Sequence, residues 1–76
     1  MNLDKIYEKL KKGQTVYMFD DFIEAAIRIM PPVEGKSRAY LKHKGRTEVE
    51  VSPSYKTVFD IELGGKFFTQ KEYAQY

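Results

Sequence analysis

Residues 38–51, RAYLKHKGRTEVEV, fold back on themselves in one register that matches both faces. With Lys44-Gly45-Arg46 as the loop, His43 lies opposite Thr47, Lys42 opposite Glu48, Leu41 opposite Val49, Tyr40 opposite Glu50 and Ala39 opposite Val51. One face is then Ala39, Leu41, Val49 and Val51, and the other is Arg38, Tyr40, Lys42, Glu48 and Glu50. A two-residue loop would set Leu41 against Glu48. Side chains alternate with a period of two, so a one-step slip exchanges the faces, and the apolar match selects the odd loop.

The other segments must fit around that hairpin. NLDKIYEKLKKG predicts a short helix, because Leu3, Ile6 and Leu10 form one stripe, Asn2 can cap the start and Gly13 supplies the stop. It must dock on something, since isolated helices shorter than about 12–15 residues are marginal in water. QTVYMF, residues 14–19, is β-branched and aromatic and predicts a strand. Residues 21–30 carry a conflict. Phe22, Ile23, Ala26, Ile27 and Met30 trace a helical face, with Asp21 and Glu24 as a capping pair. Yet Ala25, Ile27 and Ile29 alternate with Glu24, Ala26 and Arg28, and Pro31 disfavours a helical Met30. We read residues 24–30 as a strand. SPSYKTVFDIELGG predicts a second helix, with Ser52 as cap, Pro53 in the first turn, Tyr55, Val58, Phe59 and Leu63 at helical spacing and Gly64 as the stop. KFF is a short extended link, and Thr69 with Glu72 forms a capping box opening a last turn of helix to Tyr76.

Those pieces resemble the small SH3-like barrels of the Tudor and chromo-barrel type. The likeness rests on GQTVYM, EAAIRIM, the run from Tyr40 to Gly45, and Val51-Ser52-Pro53, and it spans about residues 13–58. It implies a mainly β fold with flanking helices: a small antiparallel SH3-like barrel with an N-terminal helix and C-terminal helices added. Barrels of this kind that read methyl-lysine use an aromatic cage, often with a Trp two residues before Ser-Pro. The matching residue here is Glu50; Tyr17, Phe19 and Phe22 offer rings, but the chain has no Trp. That departure counts against a cage.

Seventy-six residues form one domain, 1–76, with a small core, because a chain of this size buries only ~60% of its unfolded surface. The absence of Cys excludes disulfides and thiolate metal sites and fits a reducing compartment. A lone His cannot build a histidine metal site, and no apolar run approaches the ~20 residues that span a bilayer. A cytoplasmic protein without membrane association or cofactor is expected. No nucleophile–base pairing is visible, and so small a chain rarely supplies a supported pocket, so the reading is non-enzymatic.

Net charge is only +2, but it is blocked. Residues 36–46 hold five Lys/Arg and no acid, between acidic stretches at 13–35 and 47–63. The candidate nucleic-acid-binding residues are Arg38, Tyr40 and Lys42 on one hairpin face, with Lys44 and Arg46 at the tip. Cations suit phosphates and a ring can stack on a base. The same pattern fits a solvated strand face with Lys42 neutralised by Glu48, and it fits an acidic protein partner. His43 reads as a half-buried structural residue. Asp20, Asp21 and Glu24 read as a solvated turn or helix cap, without the ligand spacing of a calcium loop. Asp60 and Glu62 read as surface, and Gly64-Gly65 as a helix stop. The expected function is a small binding module contacting nucleic acid through the 36–46 hairpin. The alternative is a protein-interaction module or inhibitor, of the kind found among phage and mobile-element accessory proteins, that binds a nucleic-acid-handling complex. Its partner would meet the acidic blocks 20–24 and 48–62, or the aromatics around Tyr73 and Tyr76.

Overall fold

In the computed structural model, which describes residues 2–76, the hairpin has the register its apolar match demands. Strands β3 (Ala39–His43) and β4 (Val49–Val51) pair Ala39 with Val51, Tyr40 with Glu50 and Leu41 with Val49. Around them the order along the chain is α1 (Asn2–Lys11), β1 (Val16–Asp20), β2 (Ala25–Ile29), β3, β4, α2 (Lys56–Gly64), β5 (Lys66–Phe67) and α3 (Gln70–Gln75). The sheet is antiparallel throughout, in the order β4-β3-β2-β1-β5. The molecule is α+β, mainly β with flanking helices. The ladders end at β4 and β5, and among the described residues no strand pairing joins these two edges into a barrel.

Registers across the sheet align the side chains in rows. Val16, Ile29, Ala39 and Val51 form one row, and Met18, Ile27, Leu41 and Val49 the next on the same face. This face meets Ile6 of α1 and Val58 and Ile61 of α2 in the main core. Of the predicted strand 24–30, Ala25–Ile29 is thus a strand, β2, despite the helical trace, while Glu24 belongs to the preceding turn. As the central strand, β2 needs Ile27 and Ile29 on one face, and both are buried. The turn before it is set by Asp20, whose Oδ1 accepts the amides of Phe22 (2.9 Å) and Ile23 (3.3 Å). Glu24 closes that turn in the left-handed region, at φ 57°.

Four local expectations are corrected. Asn2 lies within α1, and its Nδ2 donates to the Gly65 carbonyl (2.9 Å), tying the first helix to the end of the second. The second helix begins at Lys56 with no side-chain cap, because Ser52–Tyr55 is taken up by a turn in which the Tyr55 amide donates to Ser52 O (2.9 Å). KFF is more than a link: Lys66 and Phe67 pair with Phe19 and Met18 as an edge strand. The sequence signal there was too short to distinguish a strand from a connection. Finally, Glu62 is half-buried rather than surface, and burial raises its carboxyl above the usual range. Gly65 is obligatory for a packing reason, since a Cβ there would come within 2.6 Å of the carbonyl oxygens of both Ile61 and Phe19.

Candidate nucleic-acid interface

The second face of the sheet carries the chemistry. Its rows are Tyr17-Arg28-Tyr40-Glu50 and Phe19-Ala26-Lys42. A charge on a central strand needs a partner, because desolvating it is costly unless it is paired and hydrogen-bonded. Arg28 finds Glu48: Nε donates to Oε1 at 3.2 Å and Nη2 to Oε2 at 2.6 Å. Tyr73 on α3 donates its hydroxyl to the same carboxylate at 2.6 Å. The hydrogen bonds from Arg28, and then that from Tyr73, hold the Glu48 carboxyl below its usual range. The Glu48 hydrogen bond raises the Arg28 guanidinium, and burial followed by the Glu48 bond raises the Tyr73 phenol.

The expected Lys42–Glu48 pair does not form. The guanidinium fork matches a carboxylate through two parallel bonds, which an ammonium cannot do. Lys42 instead caps α3, its Nζ donating to the carbonyls of Tyr73 (2.9 Å) and Ala74 (3.1 Å). Cations favour the C-terminal end of a helix for this reason. The Gly45 amide donates to Tyr76 O (3.0 Å), and Lys44 Nζ lies 5.7 Å from the centre of the Tyr76 ring. Beneath α3 the rings of Tyr17, Phe19, Phe68, Tyr73 and Tyr76 pack together, the closest pair, Phe19 and Phe68, at 4.7 Å. Tyr73 is buried in this cluster, whereas Tyr76 lines, with Phe19, Phe68 and Lys44, a surface pocket of about 310 Å³. The Tyr76 phenol is raised by burial first and by Asp21, Glu24 and Asp20 next.

The five predicted residues thus divide. Arg38 is exposed and only 3.8 Å from Glu50. Tyr40 is half-buried, with the Arg28 guanidinium 4.0 Å from its ring centre. Lys42 is committed to α3, while Lys44 and Arg46 are exposed at the hairpin tip. Arg38 and Tyr40, with Lys36, border a groove of about 520 Å³ whose apolar wall is Met30, Pro31 and Val33, and whose one acid is Glu34. Sequence reasoning missed Lys36 as part of the site and Arg28 as its support. The signal for Arg28 was its position as the lone charge in the run Ala25–Met30.

Other candidates fall away from this site. His43 shares a face with Leu41 but is exposed at the strand end, not half-buried. Asp20 and Asp21 lie at the end of β1 away from the groove, beside Phe22 and Gly64, and no group of three metal-ligating side chains is assembled among the described residues. No described helix is long and apolar enough to cross a membrane. No family model matches the chain, and neither does any curated protein or solved structure. The Tudor and chromo-barrel resemblance therefore stands on its residues alone.

Proposed function

We propose that this protein is a small non-enzymatic binding module of the cytoplasm that contacts nucleic acid through the basic 36–46 arm. The observation that carries this reading is the pairing of Glu48 with Arg28, a cation from outside the arm. Glu48 would otherwise offset the hairpin's charge. With it satisfied by Arg28, the five cations of residues 36–46 face only Glu50 across the hairpin. Lys36, Arg38, Lys44 and Arg46 remain exposed for phosphates. Lys42 adds charge but serves as the anchor of α3. Fluorescence anisotropy with short labelled single-stranded and duplex oligonucleotides at low ionic strength tests the proposal. Saturable binding supports it, and absence of binding to both forms rejects it.

A second reading has its own observation. Tyr55, Phe59 and Leu63, at i, i+4 and i+8, line the outer side of α2, each close to half exposed. Such a stripe suits a protein partner better than phosphate. Capture of proteins from a native extract, repeated after nuclease treatment, separates the two. Partners lost with nuclease favour the arm, and partners retained favour the helix.

A further inference from the structure

We infer that the groove beside Tyr40 holds one unpaired base of a single strand, stacked on the Tyr40 ring, with its flanking phosphates on Lys36 and Arg38. This deepens the nucleic-acid reading and rests on it. Three features support that ligand chemistry. First, the groove combines an aromatic ring and an apolar wall of Met30 and Pro31 with two exposed cations at its border; Glu34 is the one acid of its lining, and Glu50 lies 3.8 Å from Arg38. Its volume of about 520 Å³ falls within the ~300–1,000 Å³ range of small-ligand pockets.

Second, the ring is held in place. Arg28 lies over Tyr40 at 4.0 Å, and it is itself fixed by two bonds to Glu48 and by Nη1 on the Met30 sulfur at 3.1 Å. A ring held by a fixed cation loses little freedom when a base stacks on it, and rigid partners bind with a smaller ordering cost.

Third, the segment forming the groove is itself well defined. Met30 N–H donates to Arg38 O (2.9 Å), and Val33 and Lys36 exchange both backbone bonds (2.9 and 3.0 Å) around Glu34 and Gly35, both at positive φ. That is the signature of a tight hairpin turn. A strand, rather than a free nucleotide, is the occupant because more cations lie beyond the groove. Lys44 and Arg46 stand at the far end of β3, roughly 15–20 Å away at ~3.4 Å per residue.

The test uses an oligothymidylate of about eight nucleotides, an abasic oligomer of equal length and charge, and thymidine monophosphate. Wild-type protein should bind the oligothymidylate about 5- to 150-fold more tightly than the abasic oligomer, the contribution of one stacked base. Tyr40→Leu should abolish that preference, while Tyr40→Phe should retain it. Changing Lys36 and Arg38 together to Ala should weaken both oligomers. Equal affinity of wild-type protein for the two oligomers overturns the base-stacking inference and leaves the basic arm standing. Monophosphate binding as tight as oligothymidylate binding overturns the choice of a strand. Binding of neither oligomer overturns the base-stacking inference, and the basic-arm proposal falls with it only if a duplex oligonucleotide also fails to bind. The wild-type comparison decides even if Tyr40→Leu fails to fold.

Discussion

Leu41 and Val49 are cross-strand neighbours, yet they differ sharply in environment: Leu41 is 4% exposed under the helices, and Val49, on the edge strand, is 55% exposed. Leu41→Ala should therefore cost roughly 2–4 kcal/mol, and Val49→Ala less than ~1 kcal/mol, by urea denaturation. Equal losses would mean that the register is right but the layer above it is not. The partners of Leu41 were legible because matching two alternating strands is a local problem. The partner of Glu48 was not. Its carboxylate passes over the residue directly opposite and joins Arg28, two strands away, and Tyr73 of the terminal helix. That choice depends on which cation offers a fork and which is already engaged, and neither is written in the hairpin.

At the scale of elements, α3 is the piece whose stability rests most on polar contacts. Six residues cannot hold a helix alone. The Thr69–Glu72 capping box fixes its start, Lys42 its end, and the Glu48–Tyr73 bond its middle. Lys42→Met should destabilise the protein by about 1–3 kcal/mol, more than an exposed ion pair would. It should also speed hydrogen exchange at the Gly45 amide, which donates to Tyr76. Unchanged protection there would show that α3 docks without Lys42.

Acid sensitivity follows from the same contacts. The Glu48 carboxyl is lowered in the fold by its bonds from Arg28 and Tyr73. Its stabilisation is therefore complete above the ordinary carboxylate range and is lost as pH falls through its depressed folded value. Glu48→Gln should lower stability at neutral pH and flatten the acid side of the stability profile. An unaltered acid limb would assign that limb to other groups. In this part of the chain the capping box was legible, because it is a four-residue motif. Strand β5 was not, because two residues carry no period and pair only once β1 is in place.

For the whole molecule, the division of labour between the two sheet faces organises the account. One face is the apolar core under α1 and α2. The other is polar and aromatic, closed by α3 over its centre, and it leaves the Tyr40 groove and the hairpin tip exposed at the two ends of β3. The basic block was visible in the sequence, as was its alternating face. Its partition into an anchor, a half-buried ring and exposed cations depended on where α3 came to rest.

The most direct measurement is the salt dependence of binding to a single-stranded oligonucleotide. Each neutralised phosphate releases counterions, so four cation contacts, from Lys36, Arg38, Lys44 and Arg46, should give a log–log slope of about −2.8. Changing those four to Ala, with Lys42 kept so that α3 remains docked, should bring the slope close to zero while the unfolding midpoint stays near that of the wild type. A slope unchanged by the quadruple substitution, or no binding even at low salt, would contradict the account.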